Sequence, residues 1–348
     1  MRVLFVGVCD VSWSTNVPMA GALTAMGHEV DVFNYRTISA CFAPRYPARV
    51  PIAFALNKIG SVLRRYPRLP AGRNLYFRIA GRGEMNRQLR EKVRTGRYDL
   101  VFLSKTDAVD YAALDEINRH SRSWYFFMDP VDTARRMAAR EYAMRATWAS
   151  ATFSDIADDF KRHGANATWL IQGVDPEVFS PSPGNLTPAK KYDVLFVGSR
   201  TPKRQRLVEQ AAGMGLEITC FGPGWPNKPV YGPGLADLYR SSKVVLNFCQ
   251  QGAGFSVRAV QVMACGAFLL SEHCPDLDRF FKCGTHLDCF RTTGELVALA
   301  RRYVAEEDRR EAIADAGCHL VLANHTWHQV METVMNTVVA GDGRGRGG

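Results

Sequence analysis

Long apolar runs are missing from this chain of 348 residues: no stretch approaches the roughly 20 residues that a membrane-spanning helix needs. The N-terminal VLFVGV is six residues long and soon closed by Asp10, too short for the core of a secretion signal. Both absences point to the cytoplasm. Paired cysteines are missing too. The nine cysteines, Cys9, Cys41, Cys220, Cys249, Cys265, Cys274, Cys283, Cys289 and Cys318, are odd in number, scattered and free of any C-x-x-C. Neither a disulfide framework nor a zinc site is expected from that pattern. Cys274 and Cys283 with His273 and His286 come nearest to a ligand set, but their spacing fits no standard site and no metal is assigned. Nor is the first apolar segment followed by G-x-G-x-x-G and a strand-end acid at the required spacing, which argues against a nicotinamide-dependent dehydrogenase.

Acidic residues are scarce in one region only. Between Lys58 and Arg97 twelve basic residues face Glu84 and Glu91, and that imbalance equals the net charge of +10 of the whole chain. The positive field is therefore local, a device for one surface rather than a general solubility setting. A chain of this length that is 47% hydrophobic has material for two cores.

The pattern along the chain supports two α/β units. RVLFVGV has the length and continuous apolarity of a buried parallel strand. A loop holding Asp10, Ser12, Ser14, Thr15 and Asn16 follows, then a helical face (Val17, Ala20, Leu23, Ala25, Met26), a stop at Gly27 and a strand over Glu29–Phe33. Tyr98–Ser104 and Trp124–Met128 repeat the short apolar strand, so residues 1–180 read as a doubly wound domain with a basic helical insert over 41–97. SPSPGNLTPAKK reads as a linker. Asp193–Val197, Glu217–Phe221, Lys243–Phe248 and Ala267–Leu270 supply the strands of a second domain over 181–325. Gly294–Val304, Asp308–Ala323 and Thr326–Val339 read as helices, and the closing GDGRGRGG has no side chain able to pack a core and reads as disordered. Ligands of such sheets bind beyond the carboxyl ends of the strands, where Asp10, Trp13, Lys105, Asp107 and Asp129 all stand.

Two constellations suit an anion. Gly198-Ser199-Arg200 follows a strand, and Lys203, Arg204 and Arg206 fall in the first turn of the next helix. Cations there oppose the helix dipole unless an anion offsets them. A diphosphate would do so, and a solvated basic turn is the alternative. GAGFSVRAVQVMACGAFLL, residues 252–270, is a glycine-containing loop feeding an apolar-faced helix, then Gly266 and a strand. Such a loop presents backbone N–H groups to phosphate.

This second segment resembles the donor-binding signature of the GT-B glycosyltransferases, E-G-F-G-x-P-x-x-E-A-M-A-C-G, read here from Ala253 to Gly266. Arg258 at the proline position, FVGSRTPKR, SSKVVLNF, PDLDRFF and NHTW resemble the spore-maturation-protein-like (CgeB-like) branch, and GVDPEVFSP resembles its domain connector. The resemblance implies two Rossmann-like domains facing a cleft, with the helix over 326–340 crossing back to the first. It implies transfer of a sugar from a nucleoside diphosphate sugar, UDP favoured over GDP or dTDP, retaining and without a metal. Gly198, Ser199, Arg200 and one of Lys203 or Arg204 would hold the diphosphate. Gly254, Phe255 and Ser256 would approach it through backbone N–H groups, Arg258 would add a side-chain contact, and Gln261 would accept from ribose hydroxyls. Ala253 and Gln261 replace the two motif glutamates. If configuration were inverted, Asp10 or Asp129 would be the base, with Lys105 beside them as a further catalytic candidate.

The insert concerns the acceptor. In VPIAFALNKIGSVLRRYPRL, residues 50–69, apolar residues recur at helical spacing beside Lys58, Arg64 and Arg65, and Glu84–Arg94 reads as a second basic helix. A basic amphipathic helix can lie on an anionic membrane, cover a core, or track a phosphate backbone. The acceptor is thus expected to be anionic: DNA with a modified base, or a glycan or lipid at the inner membrane face. The competing reading is a GT-B-shaped nucleotide-sugar or nucleic-acid binding protein without catalysis.

Overall fold

The computed structural model describes residues 1–11, 14–35, 82–106, 108–182, 189–249 and 252–344. The basic helix expected over 50–69, Trp13, Asp107, half of the linker and the last four residues lie outside them. Two compact units emerge: Met1–Ala151 with Ile156–Trp169, and Thr152–Asp155 with Leu170–Gly348.

The first unit holds a parallel six-stranded sheet in the order β2-β1-β3-β4-β5-β6. Its strands are β1 (Arg2–Val6), β2 (Glu29–Phe33), β3 (Leu100–Ser104), β4 (Arg122–Phe127), β5 (Trp148–Ala151) and β6 (Ala167–Trp169). Helices α1 (Asn16–Ala25), α2 (Arg82–Gly96), α3 (Tyr111–His120), α4 (Val131–Arg136), α5 (Ala139–Arg145) and α6 (Ser154–Arg162) accompany it. β1, β3 and β4 are apolar along nearly their whole length because helices cover both faces of such a sheet, and Val3–Val6, Leu100–Leu103 and Trp124–Phe127 are all buried.

Strand order reverses where β1 lies between β2 and β3. In doubly wound sheets the crevice outside the carboxyl ends opens at that place. Buried Asn16 closes its floor: Ser104 Oγ donates to Asn16 Oδ1 at 2.6 Å, and Asn16 Nδ2 donates to the Val8 carbonyl at 3.1 Å.

α2 is the second basic helix, expected over Glu84–Arg94, and its charges are largely spent inside the unit. Arg87 pairs with Glu84 and Glu91, Arg90 with Asp110, Lys92 with Asp31 and Arg94 with Glu116. Buried Glu116 also receives Arg119 and His120. The Arg94 hydrogen bond, helped by those from Arg119 and His120, lowers its carboxyl pKa from an ordinary 4.5 to about 2. An acid with a depressed folded pKa contributes stability that is fully present above its unfolded value and is lost as pH falls through the folded one. We expect Glu116→Gln to give a shallower loss of stability between pH 4.5 and 2 than the unaltered protein shows, read by chemical denaturation at stepped pH. Identical slopes would contradict the assignment.

The second unit holds a parallel five-stranded sheet, β11-β10-β9-β7-β8. Its strands are β7 (Tyr192–Val197), β8 (Thr219–Phe221), β9 (Ser242–Asn247), β10 (Leu269–Glu272) and β11 (Asp288–Phe290). Its helices are α7 (Pro202–Gly213), α8 (Gly232–Arg240), α9 (Arg258–Ala264), α10 (Leu277–Phe280), α11 (Thr293–Ala305), α12 (Glu307–Asn324) and α13 (Trp327–Arg344). Phe196, Phe248, Phe268, Phe290 and Tyr303 share one core with Val194, Val244 and Leu246. The reversal point here lies between β7 and β9, with residues 198–201 and 252–257 beyond it.

Two expectations need correcting. Cys283 and Cys289 form a disulfide that ties the loop before β11 to that strand, a pairing that a search for C-x-x-C overlooks because six positions separate them. The last helix continues to Arg344 rather than ending at Val339, because extending an existing helix adds a hydrogen bond for each residue fixed. Among the described residues no helix is long and apolar enough to cross a membrane.

Candidate functional site

The site of the second unit is built from the ends of β7 and β9. β7 delivers Gly198 and Ser199, and Thr201 caps α7 by accepting from the Arg204 N–H. That cap fixes the first turn and turns Arg204 inward, where it is only 6% exposed. One terminal nitrogen, Nη1, donates to the Ser199 carbonyl at 3.0 Å. The other, Nη2, is buried without a hydrogen-bond partner among the described residues.

β9 ends on Asn247, fully buried and the hub of the opposite wall. Its Oδ1 accepts from Arg258 Nη1 at 2.9 Å and from Ser256 Oγ at 3.1 Å, and its Nδ2 donates to Ser271 Oγ at 3.0 Å. Arg258 Nε donates to the Val197 carbonyl at 2.6 Å. The loop before α9 is thereby tied to the end of β7.

Arg204 and Arg258 consequently both lie over one aromatic ring, their guanidinium carbons 5.3 and 5.0 Å from the centroid of Phe196. The ring attracts both cations, but such a contact supplies only about 2 kcal/mol when desolvated. Among the described residues neither guanidinium has a carboxylate in ion-pair range. Burial, together with the charge of Arg258, pushes the Arg204 pKa down to about 10, so the group stays charged at neutral pH. Burial likewise lowers that of Arg258. Two desolvated like charges without an anion cost several kcal/mol, a cost that an incoming anion removes.

Gly198 lies against both groups. A Cβ there would stand 2.6 Å from Arg258 Nη2 and 3.5 Å from Arg204 Nη1. Although φ 158° and the buried Phe196 Cζ at 3.1 Å would cost Gly198→Ala some stability, read as a lower thermal midpoint, the variant should still fold. It should nevertheless weaken UDP binding about tenfold by displacing Arg258; undiminished affinity would show that Arg258 does not touch the ligand.

Other expected donor residues are placed differently. Arg200 is exposed, with its guanidinium 5.6 Å over the Trp225 ring and Nη1 3.4 Å from the Gly224 carbonyl. Lys203 pairs with Glu272 at 2.7 Å. Phe255 is a core residue, packed on Phe281 and Phe280 at 5.7 and 6.4 Å. Gly254 is required by packing: a Cβ would come within 2.7 Å of Phe153 and 3.0 Å of Asp276 Oδ2. Asp276 is itself fixed there, accepting from Ser154 N at 2.9 Å and Ser154 Oγ at 2.5 Å. Gly254→Ala should therefore cost about 1–3 kcal/mol of overpacking, read as a lower urea midpoint; a neutral result would contradict the close contact. Gln261 is half-buried in α9.

In the first unit, Lys105 and Asp129 form an ion pair at the ends of β3 and β4. Lys105 holds a left-handed backbone, φ 41°, a costly conformation for a residue with a side chain and one that recurs at functional sites. Asp10 is exposed on the loop after β1. His273, Cys283 and His286 form no metal cluster: His273 bonds Asp278 at 2.9 Å and Cys283 is in the disulfide. Among the described residues no three potential ligands come together.

Asn247, Glu272, Asp276 and Phe196 escaped the sequence reading. The available signal was position: Asn247 and Glu272 are the polar last residues of β9 and β10, where a ligand would meet the sheet.

Residues 200–336 match the family model described as "Glycosyl transferase-like". No curated protein matches the sequence. Among solved structures, the chain is similar to a sucrose-phosphate synthase from Thermosynechococcus elongatus (13% identity, 98% of this chain and 99% of that one, TM-score 0.63). It is similar to Anabaena Alr3699/HepE, solved with UDP and glucose (13%, 98% and 100%, TM-score 0.64). It is also similar to a DNA-modifying β-glucosyltransferase studied with and without uridine diphosphoglucose (12%, 97% and 99%, TM-score 0.56). The family match lies within the second unit, and the solved structures show that the whole chain carries the GT-B fold.

Proposed function

We propose that the protein transfers a sugar from a nucleoside diphosphate sugar, a UDP-sugar before a GDP- or dTDP-sugar, to an anionic acceptor. The observation that carries this reading is the pair of uncompensated guanidinium groups, Arg204 and Arg258, held beside Gly198 at the reversal point of the second sheet. A diphosphate between them would satisfy Arg204 Nη2 and offset both charges. Protein cations would thus stabilise the leaving group where they are already desolvated and oriented. Ser256, Gln261 and the loop 252–257 would complete the donor site, and Arg200 and Ser199 would line its exposed side. Arg258 at the motif's proline position supports a spore-maturation-protein-like branch as part of this reading.

The reading includes retention of configuration, with attack from the leaving-group side and no dedicated base. Ala253, where the motif has glutamate, leaves Asp10 as the base of an inverting route. The Lys105–Asp129 pair belongs to acceptor binding in this scheme, since the Asp129 carboxylate is already engaged by the Lys105 ammonium. Anionic acceptors are favoured by the cations of the insert, but those on α2 are mostly paired, so the proposal rests on Lys58–Arg78. One structural neighbour modifies DNA; duplex DNA and anionic vesicles are the two acceptor surfaces to compare. A cytoplasmic protein, at the membrane face if the acceptor is a lipid or glycan, goes with this scheme.

Calorimetric titration with UDP, GDP and dTDP, followed by a donor-turnover assay, tests the proposal. Binding with turnover supports it, binding without turnover favours a nucleotide-sugar binding protein, and absence of binding to all three overturns it.

A further inference from the structure

Lys203 and Glu272 stand beside the paired arginines, and their contact is not needed to build the sheet. Lys203 occupies the first turn of α7, where a cation is disfavoured by the helix dipole. Glu272 ends β10. Its Oε1 lies 2.7 Å and its Oε2 2.9 Å from Lys203 Nζ. Oε2 also accepts from the Cys249 N–H at 2.9 Å, and Lys203 Nζ donates to the Cys249 carbonyl at 3.1 Å. Glu272 is the fixed member of the pair, with its side chain 20% exposed against 49% for Lys203. Lys203 is the mobile one, a compact charge on a flexible four-carbon stem.

The charges of the site then fall into two classes. Arg204 and Arg258 are uncompensated, and Lys203, next in sequence to Arg204, is compensated by Glu272. An intact nucleoside diphosphate sugar brings two negative charges on its diphosphate. During transfer the acceptor oxygen bonds to the anomeric carbon, and the bond from that carbon to the β-phosphate oxygen breaks. The electron pair stays on that oxygen, and the acceptor's proton goes to solvent. The leaving diphosphate therefore gains a third negative charge that the donor lacks.

Building on the donor-site reading above, we infer that Glu272 is a positioning residue that holds Lys203 neutralised while the intact donor binds, and that Lys203 passes to the leaving diphosphate as its third charge develops. An interaction made with the product charge but not with the donor lowers the barrier rather than merely tightening binding. Lys203 is thereby assigned to the charge that the leaving group gains, and the two arginines to the diphosphate in donor and product alike.

The test compares two probes, UDP-glucose with two diphosphate charges and UDP with a third, by calorimetry on the full chain. Lys203→Met should weaken UDP about tenfold and UDP-glucose less than about twofold, because only the extra charge recruits the lysine. Glu272→Gln should strengthen UDP-glucose binding about threefold to tenfold by releasing Lys203 in the ground state. Equal weakening of both probes by Lys203→Met would overturn the inference, as would weaker binding of both to Glu272→Gln. If Glu272→Gln melts early, Glu272→Asp replaces it. That shorter carboxylate should loosen the clamp and shift affinity in the same direction, and a loss of affinity there counts against the inference. Failure of the unaltered protein to bind UDP at all is a separate result, overturning the donor-site reading itself.

Discussion

Arg204→Met is expected to weaken UDP binding by about 30- to 100-fold and to leave the apo protein as stable as before, or more stable. The two halves of that expectation come from the same geometry. A hydrogen bond between charged partners contributes about 1.5–3 kcal/mol, and Arg204 offers a buried Nη2 that no other described group uses. Its removal therefore costs affinity at the level of a strong charged contact. Without an anion beside it the same guanidinium is a desolvated charge near Arg258 with no carboxylate in ion-pair range among the described residues, and replacing buried charges with apolar side chains of similar volume is often neutral or stabilising. Against this stands the lost bond to the Ser199 carbonyl, 3.0 Å in length and by itself about 1 kcal/mol. The balance predicts a thermal midpoint unchanged or raised by a few degrees. A midpoint lowered by many degrees with UDP affinity intact would mean that Arg204 serves the fold and not the ligand.

Asn247→Asp should be nearly as damaging to binding, by an opposite route. Asn247 accepts from Arg258 through a neutral amide oxygen at 2.9 Å. An aspartate in its place would keep that acceptor and add the negative charge that the site otherwise takes from its ligand. The buried ion pair so formed would cancel one of the two cations and repel the diphosphate. We expect UDP affinity to fall at least about tenfold while urea unfolding shows no large loss of stability. Asn247→Ser is the control: it shortens the side chain without charge and should cost less affinity than Asn247→Asp. Equal affinities for the aspartate variant and the unaltered protein would show that Arg258 is not counted as a free charge by the ligand.

The sheets were legible because their central strands are continuous apolar runs, as strands covered on both faces must be. β2 was read at its observed limits, Glu29–Phe33, and β7 to within one residue, Tyr192–Val197. β5, β6 and β11 were not read. WASA, ATW and DCF are three or four residues long and lack the apolar run that distinguishes a strand from a loop. Only tertiary pairing with β4, β5 and β10 reveals them.

Legibility of the donor site followed the same division between local and non-local information. The glycine loop and the cations after β7 are local patterns, and the structure does bring Gly198, Arg204, Ser256 and Arg258 together. The patterns gave no hint that Lys203 meets Glu272 from 69 positions away or that Asn247 orients Arg258. Nor could they tell a glycine that admits a ligand from one that admits a neighbour. Gly198 lies against the two guanidinium groups, while Gly254 lies against Phe153 and Asp276. The surface charge was misjudged for a related reason. Counting cations between Lys58 and Arg97 cannot show that Arg87, Arg90, Lys92 and Arg94 each meet a carboxylate, three of which (Asp31, Asp110 and Glu116) come from outside that stretch.

A crystal structure with UDP bound tests the central claim most directly. The account predicts the diphosphate at Gly198, within hydrogen-bond distance of Arg204 Nη2 and of Arg258, with Asn247 still holding the Arg258 side chain. A diphosphate bound elsewhere, with both guanidinium groups arranged as they are in the empty site, would contradict it.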